Sequence, residues 1–187
     1  MAEAVDESRL VAQAVEGDGE AFRALVDQHG RSVYRLAWRM TGNAGDAEDV
    51  VQETFMRAYR NLGRFDSRAA FPAWLHTIAS RCALDLLRLR RRAASRLEEV
   101  RHVSESEQRP RQEAQYRSER FREEFERAMT ELSPSERVAF VLRHFEGRST
   151  EEIGRELRLG KSASKHAVFR AVRKLRRALA PFAEGLS

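Results

Sequence analysis

Along this chain apolar residues return every three or four positions and nowhere alternate with polar ones over the length of a strand, a pattern that predicts helices throughout. A first helix is expected over residues 8–16, broken by Gly17-Asp18-Gly19. A second, over residues 20–40, gathers Phe22, Leu25, Val26, Val33, Leu36, Ala37 and Met40 on one face. It stops at Thr41-Gly42-Asn43, where glycine suits the left-handed turn of a C-cap. A third, over residues 46–62, is apolar at Ala47, Val50, Val51, Phe55, Ala58, Tyr59 and Leu62, with Asp49, Gln52, Glu53 and Arg57 on its other faces. Asp46 and Glu48 fall in its first turn, where negative charge complements the helix dipole. Residues 63–70 read as a loop. A fourth helix opens at Phe71-Pro72, with proline in its favoured first turn, and passes Trp74, Leu75, Ile78, Ala79, Cys82, Leu86 and Leu87 into the run LRLRRR.

Between residues 93 and 115 the periodicity fails. The stretch RHVSESEQRPRQEAQ is polar and interrupted by Pro110, a composition with too little apolar surface to order itself. The chain is therefore expected to be all-α, with two small helical domains, residues 1–95 and 117–187, on a flexible linker, residues 96–116. The second domain opens with a helix over residues 117–131. Ser133-Pro134-Ser135-Glu136 then combines an N-cap serine, a proline at the first helical position and a glutamate two further on. The helix so started carries Val138, Val141, Leu142 and Phe145 and ends at Gly147. Ser149-Thr150-Glu151-Glu152 is a second capping box, opening a short helix through Leu157. Arg158-Leu159-Gly160-Lys161 leads into a last helix over residues 162–179.

Charge sharpens this picture. The net charge is +5 and the charged fraction 34%, which suits an anionic partner. The balance is uneven: residues 158–177 hold eight lysines and arginines and no acid, whereas residues 46–53 hold four acids and no base. The single cysteine, Cys82, excludes an intramolecular disulfide framework and, among Ile78, Ala79, Ala83 and Leu86, reads as a small core residue. No histidine–cysteine cluster calls for a metal and no motif calls for a cofactor. MAEAVDESRL lacks the apolar core of a signal peptide and no stretch is apolar enough to span a bilayer, so a cytoplasmic protein is expected.

Three segments carry candidate chemistry. A short helix, a tight turn and a longer basic helix form the helix-turn-helix pattern. Val168, Ala171, Val172, Leu175 and Leu179 would pack inward on Ile153 and Leu157, leaving Lys161, Ser162, Lys165, His166, Phe169, Arg170 and Arg173 outside. A major groove admits one helix, whose N-terminal residues reach base edges; Lys165 and His166 are the candidates for that, and Arg170, Arg173 and Lys174 for phosphates. Phe169 suits either a thymine methyl or packing within the domain. In the second segment Phe65, Phe71 and Trp74 surround a polar loop just ahead of Arg81, Arg88, Arg90, Arg91 and Arg92, an arrangement for single-stranded DNA, whose unstacked bases stack on aromatic rings. Periodicity alone suits Trp74 to either the core or DNA, and Phe71 rather to the core. The third, DAEDVVQETF, offers a protein-docking surface or a plain solvated face. The five histidines are scattered, and neither GxSxG, a phosphate loop nor HExxH occurs, so no enzyme is expected.

GDGEAFRALVDQH, DAEDVVQETFMRAYRNLGRF, FPAWLHTIASRCALDLLRLRRR and ELSPSERVAFVLRHFEGRSTEEIGREL, in this order, closely resemble the extracytoplasmic-function sigma factors of the bacterial sigma-70 family. The resemblance implies two helical domains, sigma regions 2 and 4, and a protein that directs RNA polymerase to promoters. It implies that Asp46, Asp49, Gln52 and Glu53 face the clamp helices of the β′ subunit, with further contact to the β subunit. The loop Phe65, Asp66, Ser67, Arg68 to Phe71, with Trp74, would capture a flipped base of the −10 element, while Arg81 and Arg88 face −10 DNA. The last helix, through Lys161, Ser162, Lys165, His166, Phe169, Arg170, Arg173 and Lys174, would read the −35 element. An anti-sigma protein is an expected further partner, and a monomer is expected outside the holoenzyme. Arg81 stands where the family often has asparagine, Arg158 replaces a usual glycine, Ser164 a usual apolar residue and Phe169 a usual polar one. Either a differently shaped turn or an unusual backbone conformation at Arg158, and a rotated or repacked reading face, are therefore expected. The alternative function is a free-standing helix-turn-helix regulator, to which DAEDVVQETF would be of no use.

Overall fold

The computed structural model describes residues 2–66, 69–97 and 113–183. Every regular element among them is helical, and they form two compact units, Met1–Leu86 and Leu87–Ser187. The expected linker falls largely outside the described residues, as do Ser67 and Arg68 of the expected DNA loop.

The first unit is built from α1 (Ala2–Val15), α2 (Gly19–Thr41), α3 (Ala44–Asn61), a 3₁₀ turn (Leu62–Arg64) and the first part of α4 (Phe71–Leu97). α1 begins well before residue 8, because alanine and glutamate propagate a helix beyond its apolar stripe. Asp18 caps α2, its Oδ1 accepting from the N–H groups of Glu20 and Ala21 at 2.9 and 3.1 Å. At the other end Gly42 adopts φ 68° and donates to the Trp38 carbonyl at 2.8 Å. Asn43 starts the next helix at once, its Oδ1 accepting from the Asp46 N–H at 3.0 Å. This two-residue corner sets α2 against α3.

Leu25, Val33, Leu36, Ala37 and Met40 of α2 meet Ala47, Val50, Phe55 and Ala58 of α3 and Leu75, Ala79, Cys82 and Ala83 of α4 in a closed core. Phe22, Val26 and Val51 are only half-buried, and Tyr59, expected inside, is exposed. His29 was not anticipated in the core: it is buried, with Nε2 2.9 Å from Glu7 Oε2 of α1 and its ring on Phe71. Burial also pushes the Cys82 thiol up, which disfavours the reactive thiolate and fits an inert core residue.

The expected domain boundary at residue 95 lies inside α4, which runs unbroken to Leu97, whereas the compact units part at Leu86. Beyond it come α5 (Glu113–Thr130), α6 (Pro134–His144), α7 (Thr150–Glu156) and α8 (Lys161–Ala183). Both capping boxes are present: the Ser133 hydroxyl accepts from the Glu136 N–H while Glu136 Oε2 accepts from the Ser133 N–H, and Ser149 and Glu152 repeat the exchange. Val138, Val141 and Leu142 of α6, Ile153 of α7 and Ala171 and Leu175 of α8 form the core. Phe145 stands outside it, since α6 ends at His144 and Gly147 turns the chain at φ 66°. α8 extends four residues past the expected end; Phe182 lies edge-on to Phe121 of α5 with centroids 5.7 Å apart.

Candidate nucleic-acid and protein interfaces

α7 and α8 are joined by the turn at Arg158, which takes φ 53°: of the two alternatives, the unusual backbone holds, in the left-handed region that a glycine enters freely. Here the Leu159 N–H donates to the Gly154 carbonyl at 2.8 Å. Gly154 itself went unremarked in the sequence. A Cβ there would lie 3.2 Å from the Leu159 carbonyl oxygen and 3.3 Å from Ser164 Oγ, so glycine lets α7 lie directly on the start of α8.

Ser164 is fully buried and its hydroxyl donates to the Lys161 carbonyl at 3.1 Å. With its polar group satisfied inside the helix, a small serine packs in an apolar position and the outer face is not displaced. The fully buried seam of α8 is Ser164, Ala167, Ala171 and Leu175; Val168, Val172 and Leu179 of the expected stripe are half-buried at its edge. Lys161, Ser162, Lys165, His166, Phe169, Arg170, Arg173 and Lys174 are all exposed. Phe169, at 63% exposure, does not pack within the domain.

Two of these cations are already engaged. Arg170 Nε donates to Glu136 Oε1 at 2.8 Å and Lys174 Nζ to Glu136 Oε2 at 2.8 Å. Burial alone would raise the Glu136 pKa, but hydrogen bonds from Lys174, the Ser133 N–H and Arg170 outweigh it and hold the carboxyl at about 2. Arg170 and Lys174 therefore sit on the flank of α8 turned to α6, and their expected phosphate role is shared with a structural one. Lys165 and Arg173 make no ion pair among the described residues.

In the first unit the aromatic group is real but divided. Phe65 lies 5.5 Å from Phe71 and 5.1 Å from Trp74, ring centre to ring centre. Phe71 is 2% exposed and wedged against His29, so it belongs to the core and cannot receive a base. Phe65, Trp74 and Arg81 are half-buried and Asp66 is exposed, leaving ring edges at the loop. Asp66 folds the loop back, its carbonyl accepting from the Ala69 N–H at 2.8 Å. Arg88 is exposed, two turns beyond Arg81 on the same helix, α4.

On α3, Asp49 and Gln52 are exposed and Glu53 is held by Arg57, whose Nε donates to it at 2.6 Å. Arg57 also reaches Asp85 of α4 at 3.2 Å, so the Glu53 carboxylate is tied through it to a second helix. Asp46 departs from the expected docking set. It is 3% exposed in the first turn of α3, and so serves the fold rather than a surface contact.

A second apolar surface was missed by sequence reasoning. On α5 and α6, Phe140 meets Phe125, His144 and Phe145 with centroids 6.4, 4.7 and 6.2 Å away, and Phe145 is nearly half exposed. Helical spacing alone does not tell such a cluster from core.

Family models match both units: that of Sigma-70 region 2 over residues 25–93, and that of Sigma-70 region 4 over residues 122–175. The chain is 33% identical over 167 residues to RNA polymerase sigma factor CarQ of Myxococcus xanthus, covering 88% of this chain and 92% of the relative. It belongs to the extracytoplasmic-function sigma factors of the sigma-70 family. It is also 36% identical over 156 residues to ECF RNA polymerase sigma factor SigE of Mycolicibacterium smegmatis, covering 83% of this chain but only 60%, less than two thirds, of that relative. Among solved structures it matches CnrH, in complex with the cytosolic domain of CnrY, with a TM-score of 0.60 and 29% identity over 94% of this chain and 98% of that one. In this sigma factor the acidic helix α3 and the aromatic loop fall in region 2, and the helix-turn-helix in region 4 up to Leu175. No helix among the described residues is long and apolar enough to cross a membrane, and no group of three or more metal-binding side chains occurs among them.

Proposed function

We propose that this sigma factor binds core RNA polymerase and directs it to promoters, acting in the cytoplasm without chemistry of its own. The observation that carries the reading is the separation of surfaces: the acidic Asp49–Gln52–Glu53 face on α3, and the basic exposed face of α8 in a helix-turn-helix. Asp49, Gln52 and Glu53 would engage the β′ clamp helices, with Arg57 fixing Glu53. The Phe140–Phe145 cluster is an apolar surface suited to the β subunit.

Phe65, Asp66, Ser67, Arg68, Trp74, Arg81 and Arg88 are the residues assigned to −10 DNA. The exposed Ser162, Lys165, His166, Phe169 and Arg173 centre the −35 face. With α4 up to residue 95 counted to the first module, a division into residues 1–95 and 117–187 would let each module meet its own promoter element. An anti-sigma partner is inferred as well; CnrH, 29% identical, was solved with the cytosolic domain of CnrY. Run-off transcription with purified core polymerase tests the proposal: the chain should confer defined start sites on an enzyme that has none by itself. Start sites no different from those of core enzyme alone would refute it.

A further inference from the structure

α2 presents a second face that neither the core nor the proposed function uses. Residues 31, 34, 35, 38 and 39 recur at helical spacing on the side away from Val33, Leu36, Ala37 and Met40. They are Arg31, Tyr34, Arg35, Trp38 and Arg39, and no acidic residue falls between the first and the last. The rings of Tyr34 and Trp38 stack, with centroids 6.4 Å apart and planes 25° from parallel. Trp38 is 41% exposed, a large ring left in water on the outside of a well-packed unit. Arg31 and Arg35 are exposed and make no ion pair among the described residues. Asp27 is the nearest acid on this strip, at its N-terminal end.

We propose that this strip binds single-stranded nucleic acid: Trp38, backed by Tyr34, stacks a base, and Arg31 and Arg35 hold flanking phosphates. The positive charge calls for an anionic partner, and an exposed ring stiffened by a second ring is a platform for an unstacked base. Arginines four residues apart stand about 6 Å from each other along a helix, a separation that successive phosphates of an unstacked strand can match. The strip also adjoins α4, where Ser32 Oγ lies 2.9 Å from His76 Nε2, two residues beyond Trp74. The strip falls, like the aromatic loop, within region 2, and the inference rests on the −10 assignment above for its substrate: the opened promoter strand.

The test uses the full chain and a fluorescein-labelled oligo-dT of ~12 nucleotides, within the range that compact single-strand binders occupy. Trp38→Ala should weaken binding roughly tenfold, as expected for loss of one stacked base. Arg31→Ala with Arg35→Ala should flatten the dependence of log affinity on log salt by about 0.7 per lost phosphate. Helical circular dichroism confirms that each variant is folded, and Trp38→Phe, which keeps a ring, should restore most of the affinity. Arg81→Ala serves as the comparison on α4. If it weakens binding while the α2 variants bind like the parent, the strip is not a DNA surface and the −10 assignment survives. A parent chain with no affinity for the oligonucleotide overturns the inference. So do α2 variants that lose core polymerase while keeping their DNA affinity, which would assign the strip to a protein.

Discussion

Glu136 on α6 accepts a hydrogen bond from Arg170 on α8 across 2.8 Å, and the same carboxylate takes Lys174 on its other oxygen and closes the capping box with the Ser133 N–H. One nearly buried acid thus starts a helix and fastens the recognition helix to it. Two of the eight positive charges in residues 158–177 are spent on this contact.

Glu136→Gln should therefore destabilise the second unit by roughly 1–3 kcal/mol at neutral pH, the range for removing one partner of a buried charged network. The pH dependence has a definite sign. The carboxyl sits at about 2 in the fold against 4.5 unperturbed, so its contribution is complete above 4.5 and is lost as pH falls toward 2. Urea denaturation of the parent, followed by circular dichroism, should lose stability across that window, and the variant should show a flatter profile. Equal slopes in the two proteins would remove Glu136 from this role.

Arg158→Gly should leave the fold as stable or up to about 1 kcal/mol more so. A side chain at φ 53° costs roughly 1–2 kcal/mol, partly offset by the greater freedom that glycine gives the unfolded chain. The urea midpoint at unchanged m-value reads this directly. Arg158→Val, whose branched side chain tolerates the left-handed region poorly, should shift the midpoint the other way. A glycine variant clearly weaker than the parent would contradict the strain.

Charge reversal at Asp49 and Glu53 should weaken association with core polymerase at least about tenfold while circular dichroism stays unchanged, since both side chains lie on the accessible side of α3. Asp46→Asn should do the reverse, lowering thermal stability with little effect on association, because its carboxylate is inside. Unaltered co-purification of the double reversal would move the docking surface elsewhere.

Replacing Lys165 or Arg173 by alanine should each flatten the salt dependence of −35 duplex binding by about 0.9 in log–log slope, the signature of one lost phosphate contact. Arg170→Ala should flatten it less, because Glu136 already holds that guanidinium. Equal flattening at all three positions would mean that Arg170 leaves Glu136 for the DNA.

Much of this protein was written in local order. The capping boxes at Ser133 and Ser149, the stop at Gly42 and the strained turn at Arg158 follow from which residue types satisfy helix ends and left-handed turns, and each stands where the sequence places it. The order of the helices follows too, because the period of 3.6 is a property of neighbours along the chain, though α1 and α8 outrun the apolar stripes that mark them.

What needed three dimensions was every question of which atom meets which across helices. Phe71 and Trp74 are both aromatic on one helical turn, yet the first is buried against His29 of α2 while the second stays half-buried. Asp46 and Asp49 are the same residue type one turn apart, and burial divides them. Arg170 reads as a phosphate ligand until Glu136, 34 residues away, reaches it. Periodicity specifies a face but not what covers it, and the role of a charged or aromatic side chain depends on that cover.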